Sequence, residues 1–173
     1  MLNTNVYCRP LDDLTDKNVE LEAKCTKEIF DLANKGVALI LTSEILFYEF
    51  DLIEEKDKRE LVFHLAKNVE DHMIAIDFDI EKLADSIQTY VKDYGDCLHI
   101  ASAASSNWVY LVTCDYELLK KAKIIESFLG WNEYAKQANT YKIRKHILAK
   151  INKVKNKMLS KIKSAEEILE ISK

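Results

Sequence analysis

Four positions carry oxygen-bearing side chains where metal chemistry could take place: Asn3, Glu49, Asp96 and Asp115. A single acid near a strand end is unremarkable, because Asp also caps helices and closes turns. Carboxylates gathered from distant segments repel one another, however, so a fold keeps such a cluster when a cation neutralises it. The pattern therefore predicts an all-oxygen site, which prefers Mg²⁺ or Mn²⁺ over zinc or copper.

The elements that must position these residues alternate between strands and helices. The apolar runs VALIL (37–41), MIAID (73–77) and WVYLVTC (108–114) are typical of strands, the first two of them buried, and residues 1–8 resemble a strand stub. Helical patterns lie between them, at about 15–35, 43–55, 57–68, 81–94 with Asp79 as its cap, 95–107 and 116–123. This order predicts an α/β architecture around a mostly parallel sheet, in which function collects at the carboxyl ends of strands.

Four segments resemble, in order, the motifs of the PIN-domain nuclease family. NTNVYCRP is similar to the opening D-T-N-V, and TSEILFYEF to a helix with an inward-facing Glu. GDCLHIASA is similar to D-x-x-H-I-A-x-A, and LVTCDYELLKK to a T-x-D strand end. The resemblance covers about residues 1–127. It implies a three-layer α/β/α fold with a mostly parallel central sheet, and a metal-dependent endoribonuclease that hydrolyses RNA phosphodiester bonds.

The same resemblance implies that Asn3, Glu49, Asp96 and Asp115 are the catalytic residues and the ligands of Mg²⁺ or Mn²⁺. Asn3 departs from the family pattern, because the family has Asp at this position. The amide keeps the shape and loses the charge, which weakens cation binding, so we expect this sequence to be nearly inactive. Two explanations stay open: a substitution introduced to disarm a nuclease, and a naturally degenerate domain that binds RNA without cutting it.

Five neighbouring residues have weaker assignments. The family motifs imply that Asn5 and Thr113 hydrogen-bond the acids, with simple turn chemistry as the alternative. Glu44 and Glu117 are expected to be solvated or to cap helices. His99 lies about one turn after Asp96, and we expect a core histidine rather than a general base.

The four cysteines, Cys8, Cys25, Cys97 and Cys114, show no CxxC pairing. They are predicted to be reduced thiols. Cys97 and His99 could both bind zinc, but two ligands do not make a closed site. With no long apolar run and no leader pattern at the N-terminus, we expect a cytoplasmic protein that does not enter a membrane.

Charge divides the chain into a predicted nuclease domain, 1–130, and a basic helical extension, 131–173. The first carries 14 Lys and Arg against 25 Asp and Glu, a balance of −11, whereas the second carries 11 against 4, a balance of +7. From Tyr141 to Lys163 apolar residues recur every three or four positions among nine Lys or Arg, which predicts a long amphipathic helix closing near Leu169.

That helix has three candidate roles. Its apolar stripe could dock on its own domain or on a second copy, and a basic amphipathic helix could also lie on a membrane surface. The third role is to track RNA phosphates and steer RNA towards the acidic domain. The basic residues expected to contact RNA are Lys142, Arg144, Lys145, Lys150, Lys153 and Lys157.

Within the family, the chain most resembles a VapC-type toxin ribonuclease. Such toxins are commonly homodimers held inactive by a small antitoxin that covers the acidic site, so the resemblance implies these partners. Three alternatives stay open: a PIN nuclease for RNA processing or ribosome maturation, a non-catalytic binding or scaffold protein, and a metal-dependent phosphatase or unrelated acid-lined α/β domain.

Overall fold

A computed structural model of the chain describes residues 1–106, 110–130, 161–164 and 168. These ranges contain seven α-helices, a 3-10 turn at Arg9–Leu11 and four short strands. The helices are α1 (Thr4–Cys8), α2 (Lys17–Asn34), α3 (Glu44–Asp51), α4 (Lys56–Val69), α5 (Phe78–Ile87), α6 (Tyr94–Ser105) and α7 (Tyr116–Phe128). The strands are β1 (Ile40–Ser43), β2 (Glu70–Ile74), β3 (Tyr110–Val112) and β4 (Lys161–Lys163). The predicted α/β class is confirmed.

Strand pairing is parallel throughout the described part of the chain. β1 pairs with β2, and β3 pairs with β4. The N-terminal residues add a third segment beside β3, because Leu2 forms a parallel bridge to Val112. The amide N–H of Asn3 donates to the carbonyl of Val112 at 2.9 Å, which places Asn3 next to the end of β3.

Apolar side chains pack on two faces of these strands. Consecutive strand residues point in opposite directions, so Ile40 and Val112 enter one core while Leu41 and Leu111 enter another. The first core contains residues of α1 to α4, including Val6, Tyr7, Phe30, Leu46, Phe50 and Val62. The second contains residues of α5 to α7, including Ile80, Ile87, Ile100, Leu118 and Ile125. Helices therefore cover the strands from both sides.

Aspartates begin several helices by accepting hydrogen bonds from free backbone N–H groups. Asp93 accepts from the N–H of Asp96 at the start of α6. Asp77 accepts from the N–H of Ile80 at 2.9 Å and begins α5. The predicted cap at Asp79 is therefore wrong, and α5 starts three residues before the predicted boundary.

The first two predicted strands are displaced. The stub over residues 1–8 is wrong beyond Leu2, because α1 begins at Thr4 and the N–H of Val6 donates to the carbonyl of Asn3 at 3.0 Å. Gly36, with φ of 66°, closes α2, and the N–H of Val37 returns to the carbonyl of Leu32 at 2.9 Å. The apolar run at 37–41 therefore starts in a turn, and β1 begins three residues later.

The later strands also differ from the predicted runs. β2 occupies Glu70–Ile74 rather than 73–77, and its three central residues are exposed, so it is not a buried strand. β3 covers Tyr110–Val112 within the predicted 108–114, of which 108 and 109 lie outside the described residues.

The predicted C-terminal helix is wrong at Lys161–Lys163, which form β4 beside β3. The N–H of Thr113 donates to the carbonyl of Lys163 at 2.9 Å, continuing this pairing. Ile162 fits the helical spacing of the apolar residues, but the free edge of β3 offers backbone hydrogen bonds that local periodicity does not encode. Residues 131–160, with most of the predicted helix, lie outside the described residues.

Candidate active site

Three segments meet at the carboxyl end of β3. The first segment carries Asn3, which is held there by its backbone hydrogen bond to Val112. The second carries Asp115, three residues after Val112, the last residue of β3. Asp96 lies in the first turn of α6. The structure thus brings residues that are about a hundred positions apart in the sequence to one end of the strand.

Asn3 and Asp96 are in direct contact. The Asn3 side chain is buried, with 3% of the residue exposed, and its Nδ2 donates to Oδ1 of Asp96 at 3.0 Å. The N–H of Asp96 donates to Oδ1 of Asp93 at 3.1 Å. Asp96 is therefore fixed on both its backbone and its side chain.

The pKa of Asp96 is raised above the ordinary value of an aspartate. Burial is the largest cause, the hydrogen bond from Asn3 acts in the opposite direction, and the negative charges of Asp93 and Asp115 raise the pKa further. Asp96 and Asp115 line one cleft of about 170 Å³. Its walls are formed by Val91, Lys92, Asp93, Asp96, Asp115, Glu117, Leu118 and Lys121.

Asp115 is held by its role as the N-cap of α7. Its Oδ1 accepts from the N–H of Glu117 at 2.7 Å and from the N–H of Leu118 at 3.1 Å. These bonds orient the carboxylate at the start of the helix, where the helix dipole favours negative charge. One residue therefore stabilises α7 and presents a carboxylate to the cleft.

Asn5 and Thr113 fix the backbone of the segment that contains Asp115. Nδ2 of Asn5 donates to Oγ1 of Thr113 at 3.0 Å, and Oδ1 of Asn5 accepts from the N–H of Cys114 at 2.9 Å. The N–H of Asp115 in turn donates to Oγ1 of Thr113 at 3.0 Å. These bonds reach the backbone of the acid-bearing segment rather than a carboxylate, so the two side chains act on Asp115 through its main chain.

Glu49 approaches the site from α3 and has its own set of partners. Thr4 Oγ1 donates to Oε2 of Glu49, and Nε2 of His99 lies 3.0 Å from the same oxygen. Burial opposes ionisation of Glu49, but the hydrogen bond and charge of His99 and the hydrogen bond of Thr4 outweigh it and lower the pKa of the carboxyl. Glu49 is therefore a partly buried carboxyl group whose ionised form is favoured by its neighbours.

His99 is fully buried, as expected for a core histidine, yet it carries a polar contact to Glu49 that the sequence did not predict. Thr4 lies in the first motif segment, but its partner lies 45 residues away and no local pattern identifies it. Asp93, which binds the backbone of Asp96, could have been found as a cap-type residue three positions before it.

The two remaining acids make ordinary contacts. Glu44 accepts from the backbone N–H of Ile76 at 2.7 Å and joins the loop after β2 to α3. Glu117 lines the cleft, but its exposed side chain pairs with Lys120 at 2.6 Å. Both thus have capping or solvated positions.

The donor chemistry of the four predicted positions suits a hard cation. Three carboxylates and one amide offer only oxygen ligands, which Mg²⁺ and Mn²⁺ prefer. Burial is the main cause of the raised pKa of Asp96, and the repulsion from Asp93 and Asp115 that adds to it is the kind that a bound cation relieves. In the described part of the chain, no group of three or more His, Cys, Asp or Glu side chains is arranged to hold a metal ion. The carboxylates of Glu49, Asp96 and Asp115 therefore do not form such a group by themselves.

Several sequence-based expectations lie outside this geometry. No disulfide links the four cysteines, all of which lie in the described residues, and Cys97 donates to the carbonyl of Val91 at 3.4 Å. The basic residues of the extension, Lys142, Arg144, Lys145, Lys150, Lys153 and Lys157, lie outside the described residues. Among the described helices, none is long and apolar enough to cross a membrane.

Comparisons of the chain with family models, curated proteins and solved structures find no significant match.

Proposed function

We propose that the chain is a PIN-like domain whose active form is an Mg²⁺- or Mn²⁺-dependent endoribonuclease. The observation that carries this proposal is the contact between Asn3 and Asp96 at the end of β3. Asp96 in turn lines one cleft with Asp115. The order of the four motif segments supports the same family. Helices packed on both faces of parallel strands agree with a three-layer α/β/α arrangement.

In the proposed site the ligands of the cation would be Asp96, Asp115, Glu49 and the amide oxygen of Asn3. When bound, the ion would shield the charge on the scissile phosphate and activate a water molecule for in-line attack. Asn5 and Thr113 would hold the Asp115 segment in place through its backbone. Lys92 and Lys121 line the same cleft and would offer positive charge to the phosphates that flank the cleaved bond.

Asn3 would make this sequence nearly inactive. Its amide adds no negative charge to the site, and its Nδ2 occupies one oxygen of Asp96 with a hydrogen bond. Both effects weaken cation binding relative to a carboxylate at the same position. The fold is expected to survive this change, because the amide is close in shape to the carboxylate.

The biological role we propose is that of a VapC-type toxin ribonuclease in the cytoplasm. The resemblance supports a homodimer and a small antitoxin partner that covers the acidic site. The domain 1–130 has a balance of −11 and repels RNA, so the +7 extension would offset this charge and attract RNA phosphates through its lysines.

A second candidate is a catalytically inactive PIN-like protein that binds RNA or serves as a scaffold. The hydrogen bond between Asn3 and Asp96 favours it, because this bond satisfies a buried carboxylate oxygen without a cation. In that case Asn3 is the natural residue at this position and not a substitution.

Cleavage of total RNA in Mg²⁺ or Mn²⁺ tests the proposal. Three chains are compared: the present one, its Asn3→Asp variant, and the double variant Asn3→Asp with Asp96→Ala. The proposed function predicts that only Asn3→Asp cuts. If all three fold and bind RNA but none cuts, the non-catalytic candidate takes its place.

A further inference from the structure

The carboxylate of Glu49 is confined by three neighbours, Thr4, Gly95 and His99. Thr4 Oγ1 donates to Oε2 of Glu49, and Nε2 of His99 lies 3.0 Å from this oxygen. Thr4 Oγ1 and His99 Nε2 are themselves 3.5 Å apart, so the three polar groups form one compact cluster. Helices α1 and α6 therefore both hold Oε2 of Glu49, which lies on α3.

Gly95 confines the other oxygen of Glu49. A Cβ atom placed on Gly95 would lie only 2.5 Å from Oε1 of Glu49 and 3.1 Å from Oδ1 of Asp93. A Cβ contact of 2.5 Å essentially never occurs in folded proteins, so the missing side chain at Gly95 leaves the space that the Glu49 carboxylate occupies. Because Gly95 directly precedes Asp96, the Glu49 carboxylate lies against the first turn of α6, which carries Asp96.

His99 has no partner for its second ring nitrogen among the described residues. The residue is fully buried, and its Nδ1 makes no hydrogen bond in that part of the chain. A buried polar atom without a partner costs stability, and an apolar residue of similar size would avoid that cost. A histidine at this position nevertheless supplies one contact that an apolar residue could not, the contact between its Nε2 and Glu49.

A glutamate side chain loses rotational freedom when it is fixed in one orientation, and that loss costs free energy. Three contacts from α1 and α6 impose the orientation before any ligand arrives. Preorganisation of this kind strengthens binding at a metal site, and loss of such supporting contacts typically weakens metal affinity about 10- to 100-fold.

We infer that Thr4, His99 and Gly95 are positioning residues that orient the carboxylate of Glu49 for a divalent cation bound with Asp96 and Asp115. None of the three is assigned to touch the cation or RNA; each acts through Glu49. The inference rests on the proposed function for the identity of the cation, and it adds residues that set how tightly the cation is held.

The test measures Mn²⁺ affinity in the Asn3→Asp chain, by the electron paramagnetic resonance signal of free Mn²⁺, together with RNA cleavage and the thermal midpoint. Thr4→Val and His99→Leu remove the two polar contacts, and Gly95→Ala pushes on Oε1. Each is expected to weaken Mn²⁺ binding about 10- to 100-fold. Thr4→Ser and His99→Gln keep a donor and are expected to recover most of the affinity.

Two matched controls separate positioning from packing. Thr26→Val removes a buried hydroxyl that has no hydrogen-bond partner in the described residues, and Ser102→Ala does the same one turn after His99 on α6. Neither is expected to change Mn²⁺ affinity. In a Glu49→Gln background, Thr4→Val is expected to have no further effect on Mn²⁺ binding, because it acts through that carboxylate.

The outcomes are distinct. If Asn3→Asp binds Mn²⁺ and cuts RNA, but Thr4→Val and Gly95→Ala lower only the thermal midpoint, the positioning role is overturned and the nuclease stands. If Asn3→Asp neither binds Mn²⁺ nor cuts, the proposed function fails and this inference falls with it. Should His99→Leu fail to fold, Thr4→Val decides, because it replaces only a hydroxyl by a methyl group.

Discussion

The side-chain amide of Asn3 donates to a carboxylate oxygen of Asp96 over 3.0 Å, at a position with 3% exposure. A second carboxylate in this place would set two negative charges close together, and each would raise the pKa of the other. The amide replaces that repulsion with a hydrogen bond. Oδ1 of Asp96 therefore has a hydrogen-bond donor without a cation, whereas an Asp at position 3 would favour a bound cation that offsets the two charges.

Replacing Asn3 by Asp is expected to destabilise the chain when chelator removes divalent ions. The lost hydrogen bond and the added repulsion should lower the free energy of unfolding by about 1–3 kcal/mol at neutral pH. For a chain of this size each kcal/mol lowers the thermal midpoint by about 2–4 °C. Asn18→Asp makes the same chemical change at an exposed position and should have little effect. Equal midpoints for Asn3→Asp and the present chain would refute the repulsion.

The raised pKa of Asp96 predicts a specific pH dependence of stability. The folded state holds the Asp96 proton more tightly than the unfolded state, whose Asp has the ordinary value of 3.8. The free energy of unfolding should therefore contain a part that decreases as pH rises from about 3.8 through the raised pKa. Asp96→Asn keeps an acceptor for Asn3 and should remove this part.

Urea unfolding of the present chain and of Asp96→Asn, from about pH 3.8 through the raised pKa of Asp96, measures this contribution. It is the difference between the free energies of unfolding of the two chains. Glu49, whose pKa is lowered, contributes with the opposite sign, since its stabilisation is lost as pH falls. That contribution is common to both chains and cancels in the comparison. A difference that does not change with pH would contradict the assignment.

Asp115 is predicted to have separable roles in stability and in cation binding. Asp115→Ala removes the cap of α7 and should cost about 1 kcal/mol, whereas Asp115→Ser keeps a capping oxygen and should cost less. Both should abolish Mn²⁺-dependent cleavage by the Asn3→Asp chain. Asp77→Ala removes the cap of α5 and should cost a similar amount while leaving cleavage intact. Full activity of Asp115→Ser would remove Asp115 from the site.

The basic extension is predicted to supply the salt dependence of RNA binding. Deleting it would also remove β4, so substitution to Gln is the cleaner change. The six substitutions at Lys142, Arg144, Lys145, Lys150, Lys153 and Lys157 should weaken binding of single-stranded RNA. They should also reduce the slope of log affinity against log salt by at most about 4, as expected for the loss of six phosphate contacts.

The control for the extension removes the same charge from the first domain. Its exposed lysines Lys17, Lys24, Lys27, Lys35, Lys56 and Lys82 are replaced by Gln. This variant should bind RNA with a salt dependence close to that of the parent chain. An equal loss in both variants would mean that net charge alone, and not the extension, sets the affinity.

Much of the helical structure could be predicted from the sequence, because apolar spacing and capping aspartates act locally. The prediction of α2 at 15–35 agrees closely with Lys17–Asn34 for this reason. Strand boundaries were less accurate, since β1 depends on the turn at Gly36 and β2 on its pairing with Ile40 and the residues after it. β4 was predicted as helix, because its partner β3 lies about fifty residues earlier in the chain.

The same distinction holds for the candidate site. The sequence indicated that Asn3, Asp96 and Asp115 should gather at strand ends. The parallel pairing of Leu2 with Val112 places Asn3 at the end of β3, where it contacts Asp96. The contacts of Glu49 with Thr4 and His99 could not be predicted, because they join residues 45 and 50 positions apart. The roles of all these residues in catalysis stay predictions.

The most direct measurement is the thermal midpoint of the present chain and of Asn3→Asp across a Mn²⁺ titration, with Asn3→Asp plus Asp96→Ala as control. If a carboxylate at position 3 completes a cation site, Asn3→Asp should be stabilised by Mn²⁺, by about 2.7 kcal/mol at a hundred times the dissociation constant. The present chain and the double variant should respond far less. An identical response of all three chains to Mn²⁺ would contradict the account.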